Sequence, residues 1–112
     1  MIKNKENTEH YFWGNKCESW ILTDSENLSI KSEKMPANTC EKMHFHKNAQ
    51  QFFYILKGTA SFYIEKKKIE ISEHNGISIQ PLQKHFIANE TSEDLEFLVI
   101  SNPSTNNDRI LI

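Results

Sequence analysis

The alternation of apolar and polar positions divides the chain into many short segments with a period of two, and no segment sustains a helical period. Strands are therefore expected throughout. Tyr11-Phe12-Trp13 and the run from Cys17 to Leu22 predict two strands joined at Gly14-Asn15, and Leu28 to Met35 predicts a half-buried strand closed by Pro36-Ala37-Asn38. Thr39 to His46 reads as one further strand. Phe52 to Leu56 is apolar on both faces, so its strand needs cover on both sides. Thr59 to Glu65 follows Lys57-Gly58 as a hairpin mate, with the lysine triplet at its tip; Ile69 to Glu73 alternates, and Asn75-Gly76 is a strong turn signal. Ile77 to Gln80, His85 to Asn89 and Leu95 to Ile100 complete the strands, leaving Ser101 to Ile112 as a tail. Short strands punctuated by turns about every eight to twelve residues predict an all-β sandwich or barrel.

At 112 residues the chain suits one domain, with residues 1–10 as a flexible arm and 11–112 as the folded body. Thirteen Lys and Arg against fifteen Asp and Glu argue against a nucleic-acid surface, and Lys66-Lys67-Lys68 is flanked by Glu65 and Glu70. The polar start of the chain lacks the apolar core of a signal peptide, and no stretch is long and apolar enough to cross a bilayer; a cytoplasmic protein with no membrane partner is expected. Cys17 and Cys40 match neither a disulfide framework nor a zinc pattern and read as reduced thiols. Three glycines supply no phosphate cradle and no nucleophile elbow.

The candidate chemistry lies in the middle of the chain. His44 and His46 flank Phe45, so in a strand both imidazoles point the same way, about 6–7 Å apart. A reversal at Lys47-Asn48-Ala49 returns the chain with Gln51, Phe53 and Ile55 on one face, which makes Gln51 a third donor; His85 offers a third imidazole. Neutral imidazoles with an amide oxygen favour a divalent transition metal such as nickel, zinc, iron, copper or manganese over magnesium or calcium.

The spacing of His44, His46, Gln51 and Gly58, followed by that of Pro81, His85 and Asn89, resembles the two motifs of the cupin superfamily. The resemblance covers about Asn38 to Asn89 and implies a double-stranded β-helix, the jelly-roll barrel, with His44, His46, Gln51 and His85 as metal ligands. Asn38 stands where the family motif opens with glycine, and Gln51 where the family has a ligating glutamate. Gln51 keeps an oxygen donor without its charge, so a bound ion keeps its full charge and attracts an anionic ligand. The competing expectation is a cupin that has lost its metal and keeps a polar pocket. As an enzyme the protein would be a metal-dependent dioxygenase or isomerase; otherwise it is a non-catalytic module for a sugar or other metabolite. A metal-free epimerase, needing a histidine base held by a carboxylate, ranks last because no inward aspartate stands out. The apolar outer face of Phe52 to Leu56 suggests a homodimer that buries it.

Overall fold

The computed structural model describes residues 1–112, and the chain is all-β. Twelve strands follow in order: β1 (Glu9–Trp13), β2 (Cys17–Asp24), β3 (Ser29–Met35), β4 (Thr39–Cys40), β5 (His44–His46), β6 (Gln50–Lys57), β7 (Ala60–Ile64), β8 (Lys67–Ile71), β9 (Gly76–Ile79), β10 (His85–Asn89), β11 (Leu95–Asn102) and β12 (Arg109–Leu111). One sheet runs β1-β2-β3-β11-β6-β9 and the other β12-β5-β10-β7-β8, with β4 also paired to β10. All pairings are antiparallel. The two sheets close over a shared interior as the jelly-roll barrel expected from the sequence.

The interior divides into an apolar and a polar half. Phe53, Ile55, Phe62, Phe97, Leu95, Ile87 and Met35 form a single apolar cluster, each at most 4% exposed. Phe86 does not join it: its ring stacks on Tyr63 on the outer face, 4.5 Å between centroids, because β10 turns His85, Ile87 and Asn89 inward instead. Asn89 acts as a turn anchor. Its amide donates to the carbonyls of Met35, Pro36 and Glu93, and its oxygen accepts from the amide and hydroxyl of Thr91. Gly58 has φ +86°, and an added Cβ there would stand 2.6 Å from the Asp94 carbonyl, so this hairpin requires glycine.

Three sequence expectations change. Thr39 to His46 is not one strand but two pieces, β4 and β5, both paired to β10, with Glu41 to Met43 bulging between them. Glu41 fixes the bulge by donating its amide to the Ile87 carbonyl at 3.1 Å and accepting the Ile87 amide on its carboxylate at 3.0 Å. The lysine tip is narrower than the triplet: Glu65 and Lys66, both with positive φ, make the turn, and Lys67 and Lys68 lie in β8. The tail is also structured, because β12 pairs with β5 in the register Arg109 to His46 and Leu111 to His44. No helix of the chain is long and apolar enough to cross a membrane.

Candidate metal centre

Strand alternation puts His44 and His46 on the inner face of β5, and antiparallel register sets His85 of β10 directly beside His44. The three imidazoles meet with centroid separations of 5.0, 4.4 and 5.9 Å, and one nitrogen from each lies within 4.8 Å of the others. Gln51 faces the same cavity from β6 in the opposite sheet. All four are buried, at 7% exposure or less. The structure thus brings the three histidines into one cluster and sets Gln51 in the lining of the cavity with His44 and His46.

Their hydrogen bonds leave the right atoms free. His44 and His85 each place Nδ1 2.8 Å from a backbone carbonyl, that of Lys42 and of Gln83, which puts the proton on Nδ1 and the lone pair on Nε2. His46 has both ring nitrogens buried without a partner, as is Nε2 of His85. Gln51 donates its amide nitrogen to the Ser101 hydroxyl at 3.1 Å and leaves its buried oxygen unpartnered. An unmet buried polar atom costs about 1–3 kcal/mol, so this concentration of orphans in one place needs a partner. A cation that accepts lone pairs is the group that satisfies them, and the donor set fits one. Burial, with the neighbouring charges of His85 and Arg109, also holds the imidazoles neutral: His44 is pushed down to about 3, His46 down to about 4, and His85 is lowered as well.

The cavity, about 170 Å³, carries further groups that the sequence reading did not single out. Lys31 and Glu33 come from β3, Tyr11 and Trp13 from β1, Glu41 from the bulge and Arg109 from β12. The Ser19 hydroxyl donates to the Glu33 carboxylate, and Lys31 Nζ lies 3.1 Å from the Tyr11 hydroxyl. Arg109 Nη2 sits 4.0 Å from the Glu41 carboxylate and 3.5 Å from His44 Nδ1, a packing contact because that nitrogen already gives its proton to Lys42. Burial, opposed in part by the Ser19 hydrogen bond, raises Glu33; burial and the nearby Glu33 push Glu41 up to about 8. A period-two reading of Ser29, Lys31, Glu33 and Met35 would have placed all four on one face, yet charged residues read as the wet face. Glu41 and Arg109 left no signal, since a bulge and a tail strand depend on distant partners. Cys40 is exposed and does not line this cavity.

These shifts set the pH dependence of the metal-free protein. Unfolded imidazoles bind protons near pH 6.5 while the folded ones stay neutral, so this contribution is present above about 6.5 and is lost as the pH falls toward 4. Glu33 and Glu41 act oppositely: folding retains protons that the unfolded carboxylates release above about 4.5, a contribution lost as the pH rises toward 8. Three imidazoles outweigh two carboxylates below pH 6.5, and above it only the carboxylates act. Stability should therefore peak near pH 6.5 and decline on either side, more steeply above it than below. Urea midpoints measured from pH 4 to 9 check this, and a profile rising steadily to pH 8 contradicts the buried carboxylates.

Residues 32–101 match the family model described as Cupin domain. Among solved structures, KdgF from Halomonas sp. superposes with a TM-score of 0.85 at 13% identity, over 96% of this chain and 98% of that one. A predicted oxalate decarboxylase from Thermotoga maritima gives 0.82 at 21% identity, over 93% of this chain and 100% of that one. The polyketide cyclase RemF from Streptomyces resistomycificus gives 0.82 at 14% identity, over 100% and 86%. At such identities the likeness establishes the fold and nothing finer. The curated proteins yield no match.

Proposed function

This chain belongs to the cupin family, and from that premise we propose that it binds a divalent transition metal through His44, His46, His85 and Gln51 and presents it to a small organic ligand. The supporting observation is the set of buried polar atoms without partners: the two ring nitrogens of His46, one of which carries a lone pair, Nε2 of His85 and the oxygen of Gln51. Nickel, zinc, iron and copper suit a shell rich in imidazole, and manganese, which prefers oxygen donors, fits it least well of the five. Three imidazoles and one amide oxygen leave coordination positions open, and such an ion supplies Lewis-acid polarisation of a carbonyl or a site for oxygen, the chemistry of an isomerase or a dioxygenase. The chain's own part is to hold the imidazoles neutral, to fix His44 and His85 by their backbone hydrogen bonds, and to keep Phe53 and Val99 as a dry wall of the cavity. Elemental analysis of protein purified without a chelator or an affinity tag tests this. Protein that stays metal-free after incubation with each ion overturns it and leaves the alternative, a non-catalytic module for a sugar or metabolite.

A metal-free acid–base enzyme has less support, although Glu33 and Glu41 bring carboxylates into the cavity. His44 and His85 are oriented by carbonyls and His46 by nothing, so no imidazole has the carboxylate that would make it a base.

The protein is further proposed to pair with a second copy through the outer face of the sheet that contains β6. Phe52 and Leu56 there are 39% and 40% exposed, and register places Phe52 in one row with Ile100 and Ile30. A self-complementary apolar face of this kind suits a two-fold dimer. Light scattering should give a dimer for the wild type and a monomer for Phe52→Glu; a monomeric wild type ends the proposal.

A further inference from the structure

The cavity that His44 and His46 line also carries hydrogen-bond donors that the protein itself does not satisfy. Trp13 Nε1 is buried in its lining with no acceptor, and an indole N–H can only donate. Lys31 turns inward from β3 and meets a hydroxyl, that of Tyr11, rather than a carboxylate. Arg109 enters from β12, beside the histidine strand, with Nη2 3.5 Å from His44 Nδ1, which offers it no acceptor, and 4.0 Å from the Glu41 carboxylate, too far for a hydrogen bond. A guanidinium in that state keeps its forked donors free for a planar oxyanion.

The charge balance points the same way. Lys31 and Arg109 bring two positive charges into the cavity, and Glu33 and Glu41 bring at most two negative ones. A divalent ion on neutral imidazoles and a neutral amide then leaves the cavity at +2 or above, whichever protons the carboxylates hold. A cavity of that charge takes an anion. Its volume, about 170 Å³, admits a small acid.

We propose that Trp13, Lys31 and Arg109 form a carboxylate-binding subsite in this cavity, and that the ligand is a small organic acid held there by its carboxylate with the rest of the molecule facing His44 and His46. The orientation toward the histidines and the charge of +2 rest on the metal reading above; the unsatisfied donors of Trp13, Lys31 and Arg109 stand without it.

Calorimetric titration of acetate, glycolate and malonate into metal-free and zinc-incubated protein tests this, with malonamide as the neutral control and inorganic phosphate as the competing oxyanion. At least one carboxylate should bind both forms at one per chain and malonamide neither. Arg109→Gln and Lys31→Met should each weaken that binding about tenfold or more, and Trp13→Phe, which keeps an aromatic ring and deletes the donor, about fivefold. Urea midpoints of the variants separate loss of the subsite from loss of the fold. The proposal is overturned by folded variants that bind as the wild type does, by no carboxylate binding to metal-free protein, or by phosphate binding more tightly than every carboxylate. The zinc content of the same samples is measured independently. Zinc-free protein whose carboxylate binding depends on Arg109 would end the metal reading and keep the subsite, and zinc-loaded protein blind to carboxylates would do the reverse.

Discussion

Replacing both His44 and His46 with alanine is expected to abolish metal retention while leaving the barrel folded. The double variant keeps only His85 and Gln51, one imidazole and one neutral oxygen, and two weak donors do not hold a divalent ion against water. For the wild type, an ion at a hundred times its dissociation constant adds about 2.7 kcal/mol of stability, which for a domain of this size raises the melting temperature by about 10 °C. The variant should gain nothing from the same ion. A second comparison makes the experiment specific. The ring nitrogens of His46 are buried without partners, so in metal-free protein alanine removes an unmet polar cost as well as packing. The two effects oppose, and metal-free variant and wild type should unfold within about 1 kcal/mol of each other. A variant that still binds stoichiometric metal, or a wild type that none of the five ions stabilises, refutes the centre.

The second large effect is expected at Asp108. This buried side chain accepts the amide of Asn48 on both oxygens at 3.1 Å, the amide of Ala49 at 2.9 Å and the Asn48 side-chain nitrogen at 3.3 Å, while its own carbonyl accepts the amide of Lys47. Burial alone would raise its pKa; the amides of Ala49 and Asn48 outweigh it and hold the carboxyl below its ordinary range. The clamp closes the reversal between β5 and β6, the turn that sets His46 on one side of the cavity and Gln51 on the other. Asp108→Ala strands the buried Ala49 amide and breaks charge-assisted bonds worth about 1.5–3 kcal/mol each, partly offset by water at exposed Asn48, for a loss of about 3–4 kcal/mol. Metal affinity should fall about ten- to a hundredfold, since His46 and Gln51 lose their fixed separation. Asp108→Asn keeps one acceptor oxygen and should fall between. Urea midpoints with metal titration check both, and wild-type affinity in Asp108→Ala would show that the clamp does not position the ligands.

Much of this was legible along the chain, for physical reasons. Side-chain alternation has a period of two in any strand, so His44 with His46, and Gln51 with Phe53 and Ile55, share faces by local geometry alone. Turn chemistry is local at Gly58, which a positive φ requires, whereas Asn75-Gly76 does not form the turn: that falls at Glu73-His74, and Gly76 opens β9, where the Phe52 ring of the neighbouring strand would stand 2.3 Å from any Cβ. Alternation and the Gly58 turn, with the motif spacing, determined an all-β barrel with a histidine cluster. The sequence could not say which face of a strand the barrel turns inward where both faces carry polar groups. In β3 the interior takes Lys31 and Glu33 and the outside takes Ile30, since register with β11 aligns Ile30 with Ile100 on the outer face and Lys31 with Val99 on the inner one. Nor could it place Glu41 or Arg109. Glu41 enters the cavity because its backbone breaks from β10 between β4 and β5, and Arg109 because the tail returns to pair with His46, sixty-three positions earlier. The sequence by itself determined which histidines share a strand face and where Gln51 points, because alternation and spacing are properties of neighbours. Only the tertiary structure decided the charged groups around them, because burial and charge in a closed barrel are set by chain segments that meet from opposite ends.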